Sequence, residues 1–500
     1  MLRTFLLLAL GASIAASEDI PRLVKSQLIV GGEPFVMLAG ELHNSSASSV
    51  EYMRPIWDKL QAMHLNTVIG TVSWELLEPA EGTFDFTLVD SQIAEARRRN
   101  LRLVLIWFGS WKNAASSYVP LWVKKDPKRF PLMSTRNGSP SFMGLPQESL
   151  SPFGAESAAA DARAFRALMR HIRETDPDHT VIMMQVENET GLLGDSRDRS
   201  PLAEAAWAAP VPVPLLKAGQ KGTWREVFGD GPRAEEIFMA WHLGRYVNKV
   251  AGAGKAELPL PMYVNAWLGP QPGQDLPGQY PSGGPVARVM DVWRAAAPNI
   301  DLFAPDIYID DFRGVCESYT RSGNPLFIPE ARALVANLFW ALGRHNALGY
   351  SPFGIEDLKQ DDPLAEAYRI LGGMSSLLAR SEKTAVAPHE TKISFAGYSM
   401  NVRKPGHALI VSLAPDELLF IGSGLEVTLE GAARIGTIDE GRFENGRWIA
   451  GRRLNGDESA HGNLITLGER SLDIRRVKLY QRSTANPLSR DASSRSVPPV

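Results

Sequence analysis

The sequence predicts an α/β fold: a (β/α)8 TIM barrel followed by a smaller all-β, sandwich or jelly-roll-like C-terminal domain. Three observations lead there. Eight short apolar, β-rich runs, each trailed by a helical stretch, fill the chain between Phe35 and Phe353. Beyond Arg380 the pattern turns to short strand-like runs split by Gly, Asn and Asp. A chain of 500 residues, 44% hydrophobic and 22% charged, suits one large barrel and a partner domain at ~150 residues per domain.

The barrel strands are read in order as Phe35–Gly40, Asn66–Val72, Leu101–Phe108, Thr180–Val186, Pro259–Asn265, Asp301–Ile307, Pro325–Ile328 and Ala347–Phe353. Between them apolar residues recur at helical spacing: Val50, Met53, Ile56, Trp57, Leu60 and Met63 form one stripe, and Phe165, Leu168, Met169 and Ile172 another. A doubly wound sheet would place a glycine-rich turn after its first strand, and none follows Phe35–Gly40. The cluster Gly252-Ala253-Gly254-Lys255 lacks both phosphate-loop patterns and reads as a helix C-cap. Two insertions, Gly191–Pro232 and Gly269–Pro285, follow strand C-ends, the face on which barrels build sites. The all-β part is read as Lys392–Arg403, Ala408–Leu413, Glu417–Ile421, Leu425–Leu429, Arg434–Ile438, Trp448–Ala450, Leu464–Leu467 and Ser471–Leu479.

The chain ends complete the expected domain plan. Residues 1–17, with a basic start, an apolar run Phe5–Ala16 and small residues at Ala15-Ala16-Ser17, read as a secretory signal peptide, which implies a secreted or periplasmic protein. Residues 18–383 are the expected barrel, 384–481 the β-domain and 482–500 a disordered tail rich in Ser, Pro, Arg and Ala. A net charge of −3 without a basic tract excludes electrostatic nucleic-acid binding and a polybasic membrane patch. No stable membrane anchor is expected. The single cysteine, Cys316, excludes intrachain disulfides and cysteine-based metal cages, and the nine histidines show no paired metal spacing. No metal and no cofactor are expected, and the sequence leaves the oligomeric state open.

Two strand ends carry the chemistry. The fourth run ends Met184-Gln185-Val186-Glu187-Asn188-Glu189-Thr190-Gly191, and the seventh reads Pro325-Leu326-Phe327-Ile328-Pro329-Glu330-Ala331-Arg332. Each closes an apolar strand with acid at the barrel mouth, where desolvation raises a carboxyl pKa. Strands four and seven face each other across the mouth, so Glu189 and Glu330 can flank one ligand. Two carboxyls about 5–5.5 Å apart are what retaining glycoside hydrolysis requires. Either glutamate alone is as well explained by solvation or, for Glu330, by pairing with Arg332.

Gln185-Val186-Glu187-Asn188-Glu189 resembles the acid/base motif of glycoside hydrolase family 35, the β-galactosidases. Leu38-Ala39-Gly40-Glu41-Leu42-His43 resembles the first strand of that family. Leu65-Asn66-Thr67, Trp74-Glu75-Leu76-Leu77-Glu78-Pro79 and Gly82-Thr83-Phe84-Asp85-Phe86 resemble its second strand and loop. The likeness runs in ordered blocks over Phe35–Phe353, and the segment around Gly441–Trp448 and Leu454–Glu458 resembles an appended β-domain of one branch. The resemblance implies a secreted retaining exo-glycosidase, a β-galactosidase acting on β-galactoside oligosaccharides or polysaccharide side chains. It implies Glu189 as acid/base, Glu330 as nucleophile, Asn188 on the sugar 2-hydroxyl and Tyr308 as hydrogen-bond donor to the nucleophile. Tyr308 is equally well read as a packing residue of the rim.

Glu187, two residues before Glu189, is expected on the same strand face, as a supporting residue or sugar-hydroxyl ligand. Thr71, Asn44, Glu75 and the stretch Trp111-Lys112-Asn113-Ala114-Ala115 depart from the family pattern, which separates the catalytic pair from galactose selectivity. Asn113 and Glu75 are the candidates for the axial hydroxyl, Asn113 being also a simple turn residue. Among aromatic residues at strand ends, Trp107 reads as core, Trp111 and Trp267 as loop platforms, and Trp74 and Tyr350 as further stacking candidates. His43 reads as a polar rim residue. The alternatives are a clan relative of other specificity (a family 42-type galactosidase, an arabinosidase or a fucosidase-like enzyme), a catalytically silent sugar-binding protein, and a polysaccharide-binding β-domain around Trp448.

Overall fold

The computed structural model describes residues 20–454 and 456–482. The signal-like segment 1–17 and all of the tail beyond Arg482 lie outside the described residues. The chain divides between Arg380 and Ser381 into two compact units.

In the first unit eight parallel strands close into a barrel in sequence order: β1 (Met37–Glu41), β2 (Thr67–Ser73), β3 (Arg102–Lys112), β4 (Val181–Asn188), β5 (Met262–Trp267), β6 (Leu302–Ile307), β7 (Ile328–Ala331) and β8 (Gly349–Pro352). Each is followed by a helix: α1 (Val50–Ala62), α2 (Thr87–Arg98), α3 (Ala155–Thr175), α4 (Pro232–Lys255), α5 (Met290–Ala296), α6 (Phe312–Tyr319), α7 (Val335–His345) and α8 (Pro363–Gly372). The periodicity explains the pairing. α1 buries Met53, Trp57 and Leu60, α3 buries Phe165, Leu168, Met169 and Ile172, and the opposite faces stay polar. Ser49 caps α1 by accepting from the Tyr52 N–H.

The barrel interior is filled by Ala39, Ile69, Val104, Ile106, Met183, Tyr263, Ala304 and Phe327. A three-stranded antiparallel sheet (Arg22–Val24, Gln27–Val30, Glu33–Phe35) adds Leu28 and Val30 to this same core. Three strands depart from the expected bounds by three residues or more. β3 runs four residues past Phe108, through Lys112, β5 spans Met262–Trp267 in place of Pro259–Asn265, and β7 spans Ile328–Ala331 in place of Pro325–Ile328.

The two insertions are ordered against each other. Leu192 and Ser282 exchange backbone hydrogen bonds of 3.0 and 2.9 Å, and the Gly194 N–H donates to the Gly278 carbonyl at 2.8 Å. Beneath them Arg199 donates to both Asp195 and Glu235, a knot of buried charges in which each acid has its arginine. Among the described residues no helix is long and apolar enough to cross a membrane.

The second unit is a sandwich of two antiparallel sheets, one of six strands and one of four. Lys383–Val386, at the expected domain boundary and outside the strands read from sequence, is the edge strand of the larger sheet, and Lys392–Arg403 is a hairpin split at Ala396-Gly397, not one strand. Alternate residues of both sheets (Ile393, Met400, Ile410, Phe420, Val427 and Val477 among them) fill one core. Trp448, the ring that the sequence offers as a sugar platform, is half-buried and packs on Gly441, Phe443 and Arg476.

Candidate active site

The strand C-ends bring five charged side chains and two amides into one enclosed mouth. β4 ends on Asn188 with Glu189 directly beyond it, β5 carries Asn265, β6 carries Asp306, β7 carries Glu330, β1 ends on Glu41 and β3 on Lys112. Register sets the neighbours: Lys112 pairs with Asn188, Trp267 with Asp306, and Asp306 with Glu330. One carboxylate oxygen from each of Glu189, Asp306 and Glu330 lies within 4.8 Å of the others.

Donors converge on Glu330. The Tyr308 hydroxyl donates to its Oε2 at 2.9 Å, and the amides of Asn265 and Asn188 approach its Oε1 at 3.3 and 3.5 Å. Asn265 ties the cluster together. Its Nδ2 also donates to Asp306 at 2.8 Å, while its Oδ1 accepts from the Glu189 backbone N–H at 2.8 Å. Burial and then the Glu330 carboxylate push the Tyr308 phenol far up, so it remains a donor throughout the working range.

Charge is short of partners here. Burial first and the Glu330 charge second raise Glu189 to about 7, and Lys112 opposes them. The same two causes lift Asp306 and Glu41 well above the carboxylate range. One carboxyl oxygen of Asp306 lies within 4.8 Å of one of Glu189, so each acid feels the other. Burial works against the Lys112 ammonium, yet Glu330, Glu189, Glu41 and Asp306 more than offset it, and its pKa ends above normal. Both oxygens of Glu41 are sealed from solvent without a hydrogen-bond partner among the described residues.

The backbone around the acid is strained. Glu187 and Glu189 adopt left-handed φ of +64° and +45°, and across from them Asn113 and Ala114 sit at +52° and +61°. The segments clasp each other: the Ala114 N–H donates to the Glu189 carbonyl at 3.0 Å, and Glu187 accepts from the Trp111 N–H at 2.7 Å.

This strain corrects one expectation. A left-handed residue breaks the two-residue alternation of a strand, so Glu187 does not share the face of Glu189. Its carboxyl turns away from the mouth toward Asp161 of α3, which itself accepts from Trp107 and Ser110 at 2.8 and 2.6 Å. Burial and the neighbouring Asp161 hold the Glu187 pKa well up. Glu187 is therefore no sugar ligand.

Four further candidates lie elsewhere. Tyr350 is fully sealed in β8, with its hydroxyl on the Arg332 carbonyl, so neither ring face is open to a sugar. Trp111 lies inside β3, not in a loop, and is buried with its indole N–H on the Leu150 carbonyl; Trp74 is sealed likewise, donating to Glu78. Glu75 approaches Lys124 at 3.5 Å and lines a separate cavity of about 240 Å³ with Asn44, Thr71, Ser73 and Tyr118, to which neither Glu189 nor Glu330 contributes.

Asn113 is half-buried beside the mouth, and no hydrogen bond ties its side-chain oxygen to the cluster. Trp267 closes β5, part-exposed, its indole N–H on Gln274 at 3.0 Å. His43 sits at the rim, its Nε2 2.7 Å from Asp357.

Four members of the cluster, Glu41, Lys112, Asn265 and Asp306, are not among the sequence candidates. Glu41, Asn265 and Asp306 carry the signal that singles out Glu330, a polar residue closing an apolar run, and applying it to every strand finds them.

Comparison with known proteins bears on part of this barrel. Residues 46–210 match the family model of glycoside hydrolase family 42, described as Beta-galactosidase, and residues 364–466 match one described as Domain of unknown function (DUF5597). A Beta-galactosidase of Xanthomonas manihotis is 29% identical over 199 residues, covering 38% of this chain and 30% of that protein. The chain thus spans less than a third of the curated relative it matches.

Among solved structures, β-galactosidases from Rahnella sp. R3 and Bacillus circulans sp. alkalophilus align with TM-scores of 0.47 and 0.49. Their identities are 15% and 14%, over 69% and 70% of this chain and 57% of each of theirs. The matching stretch of the barrel is β-galactosidase-like. The model it meets is that of family 42, not the family 35 suggested by the motifs.

Proposed function

We propose that this protein is a retaining exo-β-galactosidase that removes terminal β-D-galactose from oligosaccharides or polysaccharide side chains. The observation that carries the proposal is the approach of the buried Glu189 and Glu330 carboxyl oxygens to within 4.8 Å of each other at the barrel mouth. That spacing suits an attacking and a protonating carboxyl, and leaves no room for the water that an inverting pair holds.

Glu330, gripped by Tyr308, Asn265 and Asn188, attacks the anomeric carbon while the Glu189 proton passes to the departing glycosidic oxygen. The C–O bond to the leaving sugar breaks as the bond to Glu330 forms. Water then enters on the Glu189 side. Glu189, now a carboxylate, takes the water's proton, and the oxygen displaces Glu330 with net retention. A Glu189 pKa of about 7 keeps that first proton in place through mildly acidic pH. The Lys112 ammonium moderates the negative charge around the nucleophile.

Two measurements test the reading together. Proton NMR of 4-nitrophenyl β-D-galactoside hydrolysis should show β-galactose formed first, mutarotating later. A panel of nitrophenyl glycosides should place the galactoside above the arabinoside, fucoside and glucoside. Initial α-galactose contradicts double displacement, and a faster non-galactoside reassigns the sugar.

A further inference from the structure

Between β3 and α3 the chain throws out a short hairpin, Ser141–Phe142 paired with Leu145–Pro146. Its tip is unusually apolar for an exposed turn: Phe142 is 37% exposed, Met143 84% and Leu145 70%. Single exposed apolar residues are ordinary, but three within four positions form a patch. Nothing inside the hairpin demands them, since its base is held by polar and backbone contacts, including the Gln147 N–H on the Pro140 carbonyl at 2.8 Å.

Position gives the patch its meaning. The Phe142 ring meets Trp267 edge-on, at 5.6 Å and 87° between planes. Trp267 closes β5 and is the register partner of Asp306 in the catalytic cluster. Its indole N–H, held by Gln274, fixes the ring's orientation. The other side of the hairpin lies against Gly194, in the loop that follows Glu189: a Cβ there would stand 3.4 Å from the Ser141 nitrogen. The hairpin therefore arches from β3 past the acid/base strand to the end of β5. In an acid-catalysed glycoside cleavage the leaving sugar lies on the side of the group that protonates it.

We propose that Trp267, Phe142, Met143 and Leu145 form the platform for the leaving-group saccharide, binding the C–H faces of the sugar next to the cleaved galactose. The assignment rests on the glycosidase reading above. It explains why apolar side chains stand in water beside an otherwise charged mouth: the patch is covered only when a chain is bound.

The test compares a substrate that has no leaving sugar with substrates that have one. β-Galactosyl fluoride leaves this platform empty, whereas lactose, lacto-N-tetraose and β-1,4-galactotetraose can fill it. In the full-length protein, Phe142→Ala and the combined Phe142→Ala, Met143→Ser, Leu145→Ser variant should hydrolyse the fluoride within about twofold of the parent and keep its Tm. KM for the best-cleaved oligosaccharide should rise about tenfold with kcat nearly constant, as expected when uniform binding is removed. Equal KM for parent and variants overturns the platform, as does a parent that cleaves none of the oligosaccharides. A change in sedimentation behaviour without a change in KM assigns the patch to self-association instead. If the parent fails even on the fluoride, it is the β-galactosidase reading that falls.

Discussion

Charge is handled in opposite ways in the two units. On the β-sandwich, Arg453 meets Asp439, Arg452 meets Glu440, and Arg476 grips Glu417 with two hydrogen bonds. Every one of these pairs is solvated or half-solvated and locally satisfied. In the barrel mouth four carboxyls, Glu41, Glu189, Asp306 and Glu330, are buried beside Lys112, and neither oxygen of Glu41 has a hydrogen-bond partner among the described residues. Satisfied charge holds a surface together at little gain or loss. Unsatisfied buried charge opposes folding and persists where chemistry needs it. The contrast locates the site without reference to any motif.

Mutations can break that comparison, beginning with the nucleophile. Glu330→Gln should lower kcat by about 10⁴-fold or more on every galactoside, while circular dichroism and Tm show the fold intact. Glu189→Gln should cost about 10²–10⁴-fold on substrates with poor leaving groups and far less on galactosyl fluoride, which needs no proton.

Tyr308→Phe removes one hydrogen bond to a charged oxygen, and kcat/KM should fall roughly 10- to 100-fold with Tm little changed. The pH profile sharpens the contrast. Because the Glu189 proton is needed, activity should decline as pH rises through about 7, and this limb should vanish for galactosyl fluoride. The linkage sign agrees for stability: a carboxyl raised in the folded state favours the fold below its unfolded pKa, and that contribution is lost as pH climbs toward 7. Glu189→Gln should therefore flatten the fall of Tm across that window. At the small end, Arg453→Ala on the sandwich should leave kcat/KM unaltered and move Tm by at most about a degree.

The sequence made the barrel legible because each strand is a short apolar run and each helix carries a periodic stripe, both local signals. Glu189 and Glu330 were readable since each closes such a run. What stayed hidden depends on backbone that no local pattern encodes. A non-glycine residue at positive φ cannot be foreseen from Val186-Glu187-Asn188, yet that one dihedral turns Glu187 toward Asp161. Tyr350 and Trp111 resemble platform residues in sequence, and only the packing of β8 and β3 seals them. The added strand Lys383–Val386 is not legible as a strand because four residues give too short a period to read. Asp306 and Asn265 carry the same strand-end signal as Glu330, each a polar residue closing an apolar run.

The central claim is that Glu330 attacks the anomeric carbon of a galactoside. Incubation with a 2-deoxy-2-fluoro-β-galactosyl fluoride, followed by intact-mass measurement and peptide mapping, tests it most directly. The account predicts one added 2-fluorogalactosyl group, carried on the peptide containing Pro329-Glu330-Ala331 and absent from Glu330→Gln. A label on the peptide containing Glu189 or Asp306, or no label in a protein that turns over galactosides, would contradict it.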